Sequence, residues 1–140
     1  AGSRHLESFK GSYGTDALRF TLCKMTTQTQ DVRMPVEPDP TTGRNTSPKF
    51  DEGRNFATKL WHAARFTMMS LEDATTRSTD PVEITDLPLA DRWILSRLAR
   101  VIGEVNGAIT QYQFNAYAQS LYDLLWRDFC DWYLEAIKPT

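Results

Sequence analysis

Apolar residues in this chain recur every three or four positions rather than every second one. Leu18, Leu22 and Met25 define a first helix running to about Thr26 or Thr27, with Thr15 as its expected N-cap and Asp16 at the positive end. A second helix opens at Ser47-Pro48, a capping residue followed by a proline that fits the first helical position. Projected at about 100° per residue, it separates two faces. Phe56, Leu60, Ala63, Ala64, Thr67 and Leu71 form the apolar arc, and Arg54, Asn55, Thr58, Lys59, His62, Arg65 and Phe66 lie opposite. A third helix, from about Ala90 to Gln111, carries a stripe of Ile94, Leu98, Val101, Ile102, Val105 and Ile109. Its Gly103 and Gly107 are expected to let a neighbouring helix approach closely. Gln113-Phe114-Asn115 reads as a turn with Asn115 capping a last helix to about Ile137. That helix is expected to bury Ala118, Leu121, Leu125, Phe129 and Trp132 before Lys138-Pro139 stops it.

The segments between carry loop chemistry. Residues 35–48 hold Pro35, Pro38, Pro40, Gly43 and Pro48 with no apolar period, and 80–88 form a second linker from Asp80-Pro81 to Pro88. Residues 1–12 are a lead-in without a strong signal, and Ala1-Gly2-Ser3 has the look of a cloning remnant. Residues 13–140 are left as one domain. With no strand pattern and no repeat, the expected fold is all-α, a bundle of four to five helices.

Composition narrows the function. Of the 140 residues 41% are hydrophobic and 24% charged, enough to build a modest core and too apolar for a disordered tail. No apolar run approaches the roughly 20 residues of a membrane span, and Arg4-His5-Leu6-Glu7-Ser8-Phe9 lacks the apolar stretch of a secretory leader, so a soluble, cytoplasmic chain without a membrane partner is expected. A net charge of −2 excludes a polybasic protein but leaves room for a local basic face. Cys23 and Cys130 sit in apolar helical contexts and read as buried free thiols. His5 and His62 cannot build a zinc site by themselves. Asp123, Asp128, Asp131 and Glu135 cluster on the last helix, but a carboxylate-bridged metal bundle needs inward Glu-x-x-His pairs, so a solvated acidic face is expected. Asn45-Thr46-Ser47 matches a glycosylation pattern yet reads only as loop. No nucleotide, metalloprotease or hydrolase motif is present. No catalytic residue, cofactor or metal is expected in this segment.

The second helix is better equipped for binding. Arg54, Thr58 and Arg65 form one row and Asn55, Lys59, His62 and Phe66 the next. An aromatic ring among arginines and amides is the chemistry of single-stranded RNA recognition, where bases stack while cations hold phosphates. The alternative is that Phe66 packs under a neighbouring helix or the proline-rich loop. Arg92, Arg97 and Arg100 extend this basic surface or, more simply, form a solvated face with salt bridges.

Four blocks add a resemblance. Tyr13-Gly14-Thr15-Asp16-Ala17-Leu18-Arg19-Phe20, the run from Arg54 to Phe66, Asp91-Arg92-Trp93-Ile94-Leu95-Ser96-Arg97-Leu98, and Phe129-Cys130-Asp131-Trp132-Tyr133-Leu134-Glu135 with Lys138-Pro139 closely resemble valyl-tRNA synthetases, in the same order. The isoleucyl and leucyl enzymes share the architecture, but their first and last blocks differ. The resemblance implies an anticodon-binding helical bundle that begins after the catalytic signature loop and is truncated here at its C-terminus. Lys24-Met25-Thr26 is not that loop, since it lies downstream of the block that should follow it. The parent enzyme would use ATP and Mg²⁺ to join valine to its tRNA, whereas this fragment would catalyse nothing. Implied partners are the anticodon stem-loop of the valine tRNA and the remaining synthetase domains. The anticodon-facing positions of the family fall on Arg33, Arg65 and Phe66, which join Arg54, Asn55, Lys59 and His62 as candidate RNA-binding residues. Residues 36–50 form a longer, proline-rich loop than is usual, and another family arginine has no clear counterpart in it. The rival class is a helical protein–protein interaction module. An apolar face around Leu125, Trp126, Phe129 and Trp132 is expected to be partly uncovered and to invite self-association.

Overall fold

A computed structural model describes residues 13–27, 31–72 and 83–138. The lead-in 1–12, residues 80–82 of the second linker and residues 139–140 lie outside it. Helix α1 (Thr15–Met25) is followed by a minimal hairpin, β1 (Glu37–Pro38) and β2 (Asn45–Thr46), and then by the long α2 (Pro48–Glu72). A short 3₁₀ turn (Ile84–Asp86) leads into α3 (Leu89–Thr110). Helix α4 (Phe114–Tyr122) runs on through a π-helical segment (Asp123–Tyr133) into a last turn, α5 (Leu134–Ala136). The architecture is the expected all-α bundle.

Helix α1 packs on the first half of α2 and on α4, while α3 packs on α4 and the π segment. Tyr13, Ala17 and Phe50 form the buried centre, with Leu18 and Met34 against it. An aromatic file ties the elements together: Phe20 stacks on Phe56 with centroids 4.4 Å apart, Phe56 meets Tyr122 at 5.2 Å, and Tyr122 stacks on Trp126 at 5.5 Å. Gly53 lets α1 and α2 touch, because a Cβ there would lie 2.2 Å from Thr21 Oγ1 and 2.7 Å from the Ala17 carbonyl oxygen.

Several local expectations change. Gly14, at φ 82°, precedes α1, so Thr15 is the first helical residue rather than the cap; the left-handed backbone suits glycine. Asn115 is the second residue of α4 and not its cap. The Gln113 N–H reaches back 2.8 Å to the Ala108 carbonyl, closing α3 through Tyr112 at φ 56° and starting the next helix at Phe114. Ser47 does occupy the cap position of α2, where its carbonyl accepts from Phe50 and Asp51. Its hydroxyl, however, is buried with no hydrogen-bond partner among the described residues, and its N–H goes to Tyr13 Oη at 3.0 Å. The proline-rich loop contains the hairpin that no sequence pattern suggested. Asp39 organises its turn, accepting from the Thr41 N–H and the Thr42 hydroxyl, both at 2.8 Å, with Gly43 at φ 66°.

The buried stripes are shorter than expected. On α2, Phe56 and Ala63 are buried, but Leu60 is 42% exposed and Ala64, Thr67 and Leu71 are exposed too. Helix α1, about 17 Å long, cannot cover α2, which runs about 38 Å. On α3, Val101 is buried and Ile94 and Val105 are half-buried, whereas Leu98, Ile102 and Ile109 are exposed. Gly103 and Gly107 have open space where a Cβ would sit, so among the described residues they serve no close packing. In the last helix Ala118 is buried, Leu121, Leu125 and Phe129 are half-buried and Trp132 is exposed. The π register brings Leu124, Asp128 and Leu134 inward instead. Both cysteines are free and half-buried rather than fully buried.

Candidate nucleic-acid interface

The acidic cluster of the last helix is internally neutralised, not simply solvated. Asp128 is only 3% exposed, and Arg97 holds its Oδ2 through Nη2 at 2.5 Å and Nε at 2.7 Å. Arg127 Nε donates to Oδ1 at 2.8 Å. Burial alone would push the Asp128 carboxyl up, but the hydrogen bonds from Arg127 and Arg97, and their charges, hold it below the ordinary carboxylate range. Asp131 pairs with Lys59, Glu135 with Lys138 at 2.6 Å, and Asp123 accepts from Gln119 at 2.9 Å. Among the described residues no three His, Cys, Asp or Glu side chains gather as a metal site. Arg97 is thereby withdrawn from the basic surface, and Arg100 lies 3.6 Å from Glu104, leaving Arg92 exposed.

Helix α2 carries six of the seven candidate residues, and the bundle divides them. Arg54, near its N-terminal end, pairs with Asp51 at 2.8 Å and lies 5.3 Å over the Tyr13 ring. Asn55 points to solvent from the next position. Lys59 reaches across to the π segment, where its ammonium sits 2.5 Å from Asp131 Oδ1 and 3.9 Å above the Trp126 ring. One and two turns on, His62 and Phe66 line an open cleft of about 240 Å³ between α2 and the last helix, with Lys59, Ala63, Cys130, Leu134, Glu135 and Lys138. Phe66 leaves 42% of its surface to solvent there. Burial pushes the Cys130 thiol up, so this cysteine is not a ready nucleophile.

Arg65 turns to the other side of α2. It makes no ion pair among the described residues and lines a groove of about 340 Å³ with Trp61, Ala64, Met68 and Met69. Trp61 is 70% exposed. It escaped the sequence reading, although its place four residues before Arg65 was a usable signal. Arg33 stands apart from both, in a pocket between the end of α1 and the start of α2. Gly53, at that pocket, is about 20 Å of helix from Phe66. The structure therefore brings Lys59, His62 and Phe66 into one cleft, places Arg65 in a separate groove on the other side of α2, and leaves Arg33 and Arg54 near the opposite end.

Comparison with known proteins adds a family context. Residues 91–140 match the model of the anticodon-binding domain of tRNA ligase. Over 126 residues, 90% of the chain, it is 42% identical to a valine–tRNA ligase of Pseudothermotoga lettingae. Over 128 residues, 91% of the chain, it is 44% identical to that of Synechocystis sp.. With the enzyme of Prochlorococcus marinus it shares 45% identity over 127 residues. The chain spans only about 13% of the length of these relatives. No helix among the described residues is long and apolar enough to cross a membrane.

Proposed function

We propose that this chain is the anticodon-binding segment of a cytoplasmic valine–tRNA ligase and holds the anticodon stem-loop of the valine tRNA. The chemistry of the parent enzyme, joining valine to tRNA with ATP and Mg²⁺, would be carried by its other domains. The observation that carries this reading is the open Phe66 ring on one side of α2, with Arg65, its neighbour in sequence, lining the groove on the other side and having no carboxylate partner among the described residues. A half-exposed ring offers a stacking face for an unpaired base, and a free guanidinium offers a contact to phosphate or base edges. Lys59 and Lys138 rim the same cleft, paired with Asp131 and Glu135 respectively, and His62 adds an imidazole beside the ring. Arg33 would serve at the other end of α2, on a different nucleotide, and Arg54 and Asn55 between them. Phe66→Ala should weaken binding of an anticodon stem-loop RNA about tenfold, the value of one aromatic–base stack of roughly 1–3 kcal/mol.

A second reading, a helical protein-interaction module, is favoured by the exposed apolar groove of Trp61, Met68 and Met69. A salt titration separates the two. RNA binding should fall steeply with rising salt because phosphate contacts release counterions, whereas docking of an apolar partner should not.

A further inference from the structure

Lys59 sits where α2 leaves the packed bundle. Beyond it, from Leu60 to Leu71, Ala63 alone is buried among the described residues. The half of the helix that carries Phe66 therefore has little packing to fix its direction. Lys59 supplies a tie. Its ammonium, 2.5 Å from Asp131 Oδ1 and 3.9 Å above the Trp126 ring, bridges α2 to the π segment. The ring beneath it is itself seated: Trp126 stacks on Tyr122, which meets Phe56 of α2 and through it Phe20 of α1. The Lys59 side chain is 28% exposed, and to reach a phosphate it would have to give up both contacts. Phe66 lies two turns further along the same arc, in the cleft that Lys59 also lines. A change of tilt at Lys59 is carried about 10 Å along the helix to that ring.

We infer that Lys59 is a positioning residue rather than an RNA contact: its clasp on Asp131 and Trp126 fixes the direction in which α2 presents Phe66 to a bound RNA. That Phe66 meets RNA rests on the function proposed above, whereas the clasp does not.

The test measures binding of an anticodon stem-loop RNA to the 140-residue chain at several salt concentrations. Lys59→Met keeps the apolar stem and loses the charge. Affinity should fall about fivefold, the scale of one partly exposed ion pair with a cation–π contact, and Lys59→Arg should recover most of that loss. The slope of log affinity against log salt should stay as in wild type, whereas loss of a phosphate contact would flatten it by about 1. Asp131→Ala gives the sharpest contrast. It removes a negative charge and frees Lys59, so a phosphate-binding Lys59 would tighten RNA binding, while a broken clasp weakens it. In a Phe66→Ala background Lys59→Met should cost less than about twofold, because residues that act through one another are not additive. Unchanged or tighter binding in Asp131→Ala, a flattened salt slope in Lys59→Met, or additive losses in the double variant would overturn the inference. A proton spectrum of the free chain reads the clasp without RNA: the Lys59 ε-methylene should resonate upfield beside the Trp126 face and return toward its ordinary position in Asp131→Ala. A chain that binds no stem-loop RNA, with that signature intact, removes the RNA reading and the positioning role with it. Affinity that depends on Phe66 but not on Asp131 removes the positioning role alone.

Discussion

Asp128 shows how much a single side chain can be asked to hold. Its carboxylate lies inside the bundle and is gripped by Arg97 of α3 and by its neighbour Arg127, so it ties the π segment to α3. Removing one partner of a buried ion pair leaves the other charge uncompensated. Asp128→Asn should cost about 3 kcal/mol, the low end of the usual range because Arg97 keeps some solvent. The sign of the pH effect follows from the lowered pKa. The contribution is fully present above the ordinary carboxylate pKa and disappears as pH falls through the lower folded-state value. Urea midpoints of wild type and Asp128→Asn should therefore differ at pH 7, begin to converge only below about pH 4, and meet once pH passes below the folded-state value. A gap that stays constant into acid would show that the arginines do not hold the carboxylate. The sequence placed Asp128 on an acidic face but could not reveal its burial. Helical projection assumes 3.6 residues per turn, and the π register from Asp123 to Tyr133 departs from it. Leu60 teaches the complementary lesson. It projects onto the apolar arc, yet only a neighbour long enough to reach it would bury it. Leu60→Ala should consequently cost about 1 kcal/mol, half of a full leucine burial, whereas Phe56→Ala should cost about 3–5 kcal/mol.

At the scale of elements, two glycines make opposite predictions. Gly53→Ala would drive a methyl group into Thr21 and the Ala17 carbonyl, where backbone must move, so a loss of about 1–3 kcal/mol is expected in a denaturation midpoint. Gly103→Ala meets open space inside a helix and should stabilise by about 0.5–1 kcal/mol. Two equal losses would mean that α1 and α2 are not in close contact at Gly53. The number, order and approximate limits of the helices were legible, because period and punctuation are local properties. Which glycine mediates packing was not, since it depends on what crosses the helix. Caps at Thr15 and Asn115 were misplaced for a related reason: a positive φ at Gly14 or Tyr112 decides where the chain turns, and several nearby residues are chemically able to cap.

Across the whole molecule, the ends of α2 differ in kind. Its first half is sheathed by α1 and the aromatic file, and its second half is open on most sides. Trp61, Met68, Met69 and Leu71 are exposed there, as are Leu98, Ile102 and Trp132 elsewhere. Apolar surface of this extent favours association, and sedimentation velocity should show the chain shifting toward larger species as concentration rises. A strict monomer at all concentrations would remove that expectation. The candidate site was partly legible for the same geometric reason. Lys59, His62 and Phe66 share one arc of α2, and the structure gathers them in one cleft, but a helical projection of α2 says nothing of the last helix that forms the other wall. Nor does it show that Lys59 pairs with Asp131, or that Arg65 makes no ion pair among the described residues. The most direct test is fluorescence anisotropy with a labelled valine-tRNA anticodon stem-loop at several salt concentrations, run on wild type, Phe66→Ala and Arg65→Ala alongside their urea midpoints. The expected result is salt-sensitive binding weakened about tenfold by Phe66→Ala, with a midpoint that moves no more than that of Leu60→Ala. Unchanged RNA affinity in both variants, or a Phe66→Ala midpoint falling as far as that of Phe56→Ala, would contradict it.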